Sequence, residues 1–106
     1  MLQVISDRKM KFTASRLSEG NKVFPAEIHL EDNSIEIKVP GLFSGDSKYL
    51  NYEDITSIEV DSPMIGFATL RLFTTGTKVE VHGFSNSDIK EIRKIIDENR
   101  TKRRRL

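Results

Sequence analysis

From Met10 to His82 apolar and polar residues alternate with a period of two, segment after segment, and beyond Ser85 the period lengthens to that of a helix. A period of two sends successive side chains to opposite faces of a strand, so each segment has one face to bury and one to solvate. Met10, Phe12 and Ala14 oppose Lys11, Thr13 and Ser15; Phe24, Ala26, Ile28 and Leu30 oppose Glu27 and His29; Ile35, Ile37 and Val39 oppose Ser34, Glu36 and Lys38. Asp32-Asn33 joins the last two as a hairpin, because short Asx side chains bond to nearby backbone and tolerate turn conformations. Pro40-Gly41 ends that hairpin, and a loop runs to Asp46 before a short segment built on Leu50 and Tyr52.

At Glu53-Asp54-Ile55 the alternation changes parity, which predicts a turn or bulge before Ile58 and Val60 resume the pattern. Asp61-Ser62-Pro63 closes this fifth segment. The sixth buries Ala68, Leu70 and Leu72 and carries Phe67, Thr69, Arg71 and Phe73 on its other face, which is too apolar to be simply solvated. After the turn at Thr74-Thr75-Gly76-Thr77, Val79 and Val81 form a seventh strand against Lys78, Glu80 and His82. Ile89, Ile92, Ile95 and Ile96 then make one stripe of an amphipathic helix. Ser85 with Asp88 fits the capping-box start, and the stripe predicts an end near Asn99.

Seven short strands and one helix in 106 residues leave room for one core. An antiparallel meander of this kind curls into a barrel or two near-orthogonal sheets, and a terminal helix can plug the open end with its apolar stripe. The fold class is mainly β with one C-terminal α-helix, with an extension at 1–9, a domain over 10–97 and a basic tail over 98–106. Cys is absent, which removes disulfides and thiolate metal sites. The apolar runs are far shorter than the roughly 20 residues a membrane-crossing helix needs. Asp7, Arg8, Lys9 and Lys11 interrupt the N-terminus before a signal-peptide core can form, so the expected location is cytoplasmic.

The charge is divided by region. Residues 1–99 hold 12 Lys and Arg against 16 Asp and Glu, a net of −4, whereas RTKRRRL at 100–106 contributes +5. A fold built to grip nucleic acid clusters cations on its folded face. Here the folded part is acidic.

The stretch KYLNYEDITSIEV, followed by GFATLRLFTTGTKVEVHGFSNSDIKEIRKII, resembles bacterial PH-like domains of the pleckstrin-homology superfold, over roughly residues 10–97. The resemblance implies a seven-stranded antiparallel PH-like barrel capped by the helix. It also implies binding rather than catalysis, by strand addition beside the fifth strand and near the helix, or by assembly into ring-shaped oligomers. In this chain that edge is 56–61, with Thr56, Ile58 and Val60, alongside the helix at 89–96. Phosphoinositide-binding relatives place several cations on the first two strands and their loop. This chain offers Arg16 and Lys22 there with Glu19 between them and Glu27 after, too little positive charge for a multiply phosphorylated head group.

No pattern for chemistry emerges. His29 and His82 lie on the polar faces of different strands without further converging ligands, so no metal or cofactor is expected. The carboxylates sit at turns and outer faces, no Ser stands in a nucleophile elbow, and no Gly-rich phosphate loop follows a strand, so no catalytic residue is assigned and no enzyme is expected. Two surfaces remain. In an up-and-down meander the loops at 17–22, 40–47 and 62–66 share one end and carry Leu17, Leu42, Phe43, Met64 and Ile65. These apolar residues either fold inward to close the barrel or form an exposed patch for a protein partner or a second copy. Arg100, Lys102, Arg103, Arg104 and Arg105 either attach the chain weakly to an anionic membrane surface or nucleic acid, or are a solvated terminus favoured by the helix dipole.

Overall fold

The computed structural model describes residues 3–6, 9–15, 25–39 and 47–104. Strands β1 (Gln3–Ser6), β2 (Lys9–Thr13), β3 (Glu27–Leu30), β4 (Ser34–Lys38) and β5 (Lys48–Asn51) form one antiparallel sheet in chain order. Strands β6 (Ile55–Asp61), β7 (Ala68–Thr74) and β8 (Thr77–Phe84) form the second, and helix α1 (Asn86–Arg104) follows. The seven strands expected from the alternation are β2 to β8, divided four and three. β1 is an eighth, added by pairing with β2 inside the segment expected as an extension.

The registers show why the alternation works. Phe12, Ile28 and Ile37 stand opposite one another across β2, β3 and β4, and Leu30, Ile35 and Leu50 do so across β3, β4 and β5. All six are buried. On the reverse face Lys11, His29, Glu36 and Tyr49 line up in a polar row. In the second sheet Leu70 and Leu72 of β7 meet Val81 and Val79 of β8, and all four are buried. Both inner faces join one core with Ile89, Ile92 and Ile96 of α1. Each such side chain contributes about 1.5–3 kcal/mol when fully removed from water, so the helix stripe alone is a substantial share of the domain's stability.

The sheets do not close into a barrel, which is where the architecture departs in detail from the expected one. At one corner the change of parity at 53–55 is a 3₁₀ turn (Tyr52–Asp54) that lets both Tyr52 and Ile55 point inward. The Tyr52 hydroxyl donates to the Glu31 carbonyl at 2.7 Å and the Tyr52 N–H to the Asn33 carbonyl at 3.4 Å, fastening this turn to the β3–β4 hairpin. At the other corner Gly83 is an extra residue in β8, skipped between the pairs Ala68–Phe84 and Thr69–His82. Its φ of +112° is a conformation that side-chain-bearing residues resist. Its carbonyl accepts the Ser15 N–H at 2.8 Å, a backbone link between the two sheets.

Helix α1 starts as the sequence predicts, with the Asp88 N–H donating to the Ser85 hydroxyl at 3.1 Å. It does not stop near Asn99. No Gly or Pro follows to break it, the Asn99 amide turns back to the Ile95 carbonyl at 2.9 Å, and the helix runs on through Arg104. Cations in its last turns suit the negative end of the helix dipole.

Candidate functional site: the β6 edge and the end of the helix

β6 lies at the edge of the second sheet, so one side of its backbone has no strand partner among the described residues. Its inward residues Ile58 and Val60 are only half-buried. Their cross-strand partners on β7, Leu72 and Leu70, are fully buried. The core is therefore sealed beneath β7 and left partly open along β6, with apolar side chains at the opening. Thr56 is skipped in the β6–β7 register between Ile55 and Ser57, and its hydroxyl bonds to the Phe73 carbonyl at 3.1 Å. Such a bulge bends an edge strand locally and takes a residue out of the ladder.

The Thr56 carbonyl meets α1. Arg100 donates to it from Nη2 at 3.3 Å and reaches Asp97 Oδ1 from Nη1 at 3.4 Å. The Arg100 side chain is only 15% exposed. Its Nε is buried and has no hydrogen-bond partner among the described residues. This corrects the expectation that Arg100 belongs to a tail separate from the fold. Helical arithmetic carries the signal: Arg100 follows Ile96 by four residues and so continues the buried stripe of Ile89, Ile92 and Ile96. Lys102, Arg103 and Arg104 lie on the same helix backbone, with side chains outside the described residues, as is Arg105.

Met64 and Ile65 are exposed, at 100% and 92%, so these two do not fold inward to close the barrel. Their loop is held by Asn86 at the start of α1, whose Nδ2 donates to the Pro63 carbonyl at 3.1 Å. Leu42 and Phe43 lie outside the described residues. Phe67 and Phe73 are half-buried, consistent with the mixed character of that face.

The outer face of the first sheet is an ordered polar surface. Glu27 accepts from His29 Nε2 at 2.8 Å and lies 3.8 Å from Lys11 Nζ. Glu36 accepts from the hydroxyls of Ser47 at 2.7 Å and Tyr49 at 3.0 Å. Burial pushes the Glu36 carboxyl up, but those two bonds and the charges of Lys38 and His29 outweigh it and hold the carboxyl below its ordinary value. The Tyr49 phenol is raised, first by its hydrogen bond to Glu36, then by desolvation and by the Glu36 and Glu31 charges. Both shifts stabilise the resting charge states of a surface pair. They do not make an acid and a base across a cleft.

Among the described residues, no group of three or more His, Cys, Asp or Glu is placed to hold a metal ion. No helix there is long and apolar enough to cross a membrane. A search of curated proteins gives no match. The family described as Bacterial PH domain matches residues 16–100, from before β3 through the Arg100 contact, and so covers most of the chain: β3 to β5 of the first sheet, the whole second sheet and α1 as far as Arg100. That match spans well over half of a chain whose two antiparallel sheets and C-terminal helix share one core, and the chain belongs to the bacterial PH domain family.

Proposed function

We propose that the domain is a non-catalytic interaction module that takes an extended protein segment as an added strand along β6. Membership of the bacterial PH domain family supports an interaction role in general. The observation that carries the specific reading is the half-burial of Ile58 and Val60 beside fully buried Leu72 and Leu70. An added strand would cover those two side chains from the open side while its backbone completes the ladder, which supplies affinity from the main chain and selectivity from alternate side chains. The partner is a protein segment or an extended stretch of a second copy. Glu59 and Asp61 are exposed beside them and give the edge an acidic outer side, which disfavours an anionic membrane or nucleic acid there.

The test uses a random decapeptide library selected on the full chain, followed by amide hydrogen exchange of the domain with each selected peptide. The expected result is new protection concentrated at 56–61. Protection confined to β5 or β1, or no selectable peptide, removes the reading. Light scattering of the chain alone from micromolar to millimolar concentration separates a second copy from other partners.

A further inference from the structure

We propose that Arg100 is the residue that selects the partner at this edge. In the free protein it occupies the Thr56 carbonyl, and when an added strand brings its own N–H to that carbonyl, Arg100 passes to a carboxylate of the incoming segment. The inference rests on strand addition along β6 and names the chemistry of the segment.

Three observations carry it. Arg100 is mostly buried at the point where α1 crosses the start of β6, yet its two contacts, 3.3 Å to Thr56 O and 3.4 Å to Asp97 Oδ1, are both long. Its buried Nε has no partner among the described residues, so the guanidinium has donor capacity left in a place where unmet donors are costly. The Thr56 carbonyl belongs to the bulged residue of an edge strand and takes its hydrogen bond from Arg100 rather than from a further strand among the described residues. A carboxylate offers the planar fork of Arg two acceptors at once, which neither present contact does.

The charges farther along fix the orientation of the segment. Glu59 and Asp61 are exposed toward the far end of β6, where a matching segment carries Lys or Arg. The occupant is therefore an extended peptide with alternate apolar residues over Ile58 and Val60, an Asp or Glu at the Thr56 end and a cation at the Asp61 end.

The experiment repeats the library selection on the full chain, on Arg100→Met, which keeps the apolar stem, and on Arg100→Lys, which keeps the charge without the fork. Circular dichroism melting first establishes that both variants fold. The expected result is Asp or Glu enriched at one fixed position on the native chain, with replacement by Asn or Gln weakening binding about 10-fold or more. Arg100→Met loses that preference while its peptides still protect 56–61 from exchange, and Arg100→Lys keeps a reduced preference. If selected peptides protect 56–61 but carry no fixed carboxylate, or if Arg100→Met keeps the preference, the assignment of Arg100 is wrong although strand addition stands. If no peptide protects 56–61, both fail together.

Discussion

Ile92→Ala and Ile95→Ala test the rotation of α1 on the sheets. Ile92 is completely buried, whereas Ile95, one turn on, is half-buried at the margin of the same core. Truncation to Ala removes three carbons. At about 0.8 kcal/mol per buried methylene the transfer loss at Ile92 is about 2.4 kcal/mol, and the cavity left between helix and sheets raises the total to about 3–4 kcal/mol. At Ile95 roughly half of the transfer loss applies and no closed cavity forms, which gives about 1 kcal/mol. For a domain of this size those losses lower Tm by roughly 15–25 °C and about 5 °C respectively. Urea titration followed by circular dichroism reads both, with Tyr fluorescence as a second probe, since the chain has no Trp and Tyr52 lies in the turn against which α1 packs. Lys94→Ala, on the exposed side, stays within about 0.5 kcal/mol of the native protein. Equal losses at Ile92 and Ile95 would mean that α1 presents a different face to the sheets from the one described.

Two further outcomes follow from side-chain hydrogen bonds. Tyr52→Phe keeps the buried ring but strands the Glu31 carbonyl, and is expected to lower stability by about 1–2 kcal/mol in the same urea titration, with no change of slope. Glu36→Gln, made in that Tyr52→Phe background so that only Tyr49 titrates, lowers the Tyr49 phenol toward its ordinary value, read as tyrosinate absorbance against pH. The signs are opposite for the two partners. The lowered Glu36 carboxyl adds stability above the ordinary carboxylate range and loses it as pH falls through the lowered value; the raised Tyr49 phenol adds stability below its ordinary range and loses it as pH rises through the raised value. An unmoved Tyr49 titration in the Gln variant would show that the Glu36 bond does not hold the phenol.

Much of this fold is legible in the sequence because burial on one face leaves a direct imprint. Parity alone predicts Phe12, Ile28, Ile37, Leu70 and Val81 to face inward, and all five are buried. The parity break at Glu53-Asp54-Ile55 likewise marks a real corner. What was hidden has physical reasons too. β1 reads Gln3-Val4-Ile5-Ser6, with its two apolar residues side by side, so it lacks the period-two alternation that marks the other strands. The extension of α1 past Asn99 was obscured because cations at a helix end read equally as a solvated tail, and only the spacing from Ile96 to Arg100 distinguishes the two. At the candidate site, Ile58 and Val60 were visible as strand residues, but their partial exposure depends on β6 being an edge, a property of strand order that no local pattern encodes. The outward position of Met64 and Ile65 was one of two open readings, since apolar loop tips look the same in sequence whether tucked in or exposed.

The bond from Ser15 to the bulged Gly83 has a consequence for how the domain comes together. Within each sheet every strand pairs with its neighbour in the chain, so both sheets can be built from local hairpins, the longest connection being the one from β2 to β3. The Ser15–Gly83 corner instead joins the segment just after β2 to β8, positions far apart in the chain. The entropy of bringing distant chain together is therefore concentrated at this corner and in the core behind it. Glycine's freedom at position 83 lets β8 turn its carbonyl toward Ser15 without strain, so this contact of long reach along the chain is made at a residue with wide backbone freedom.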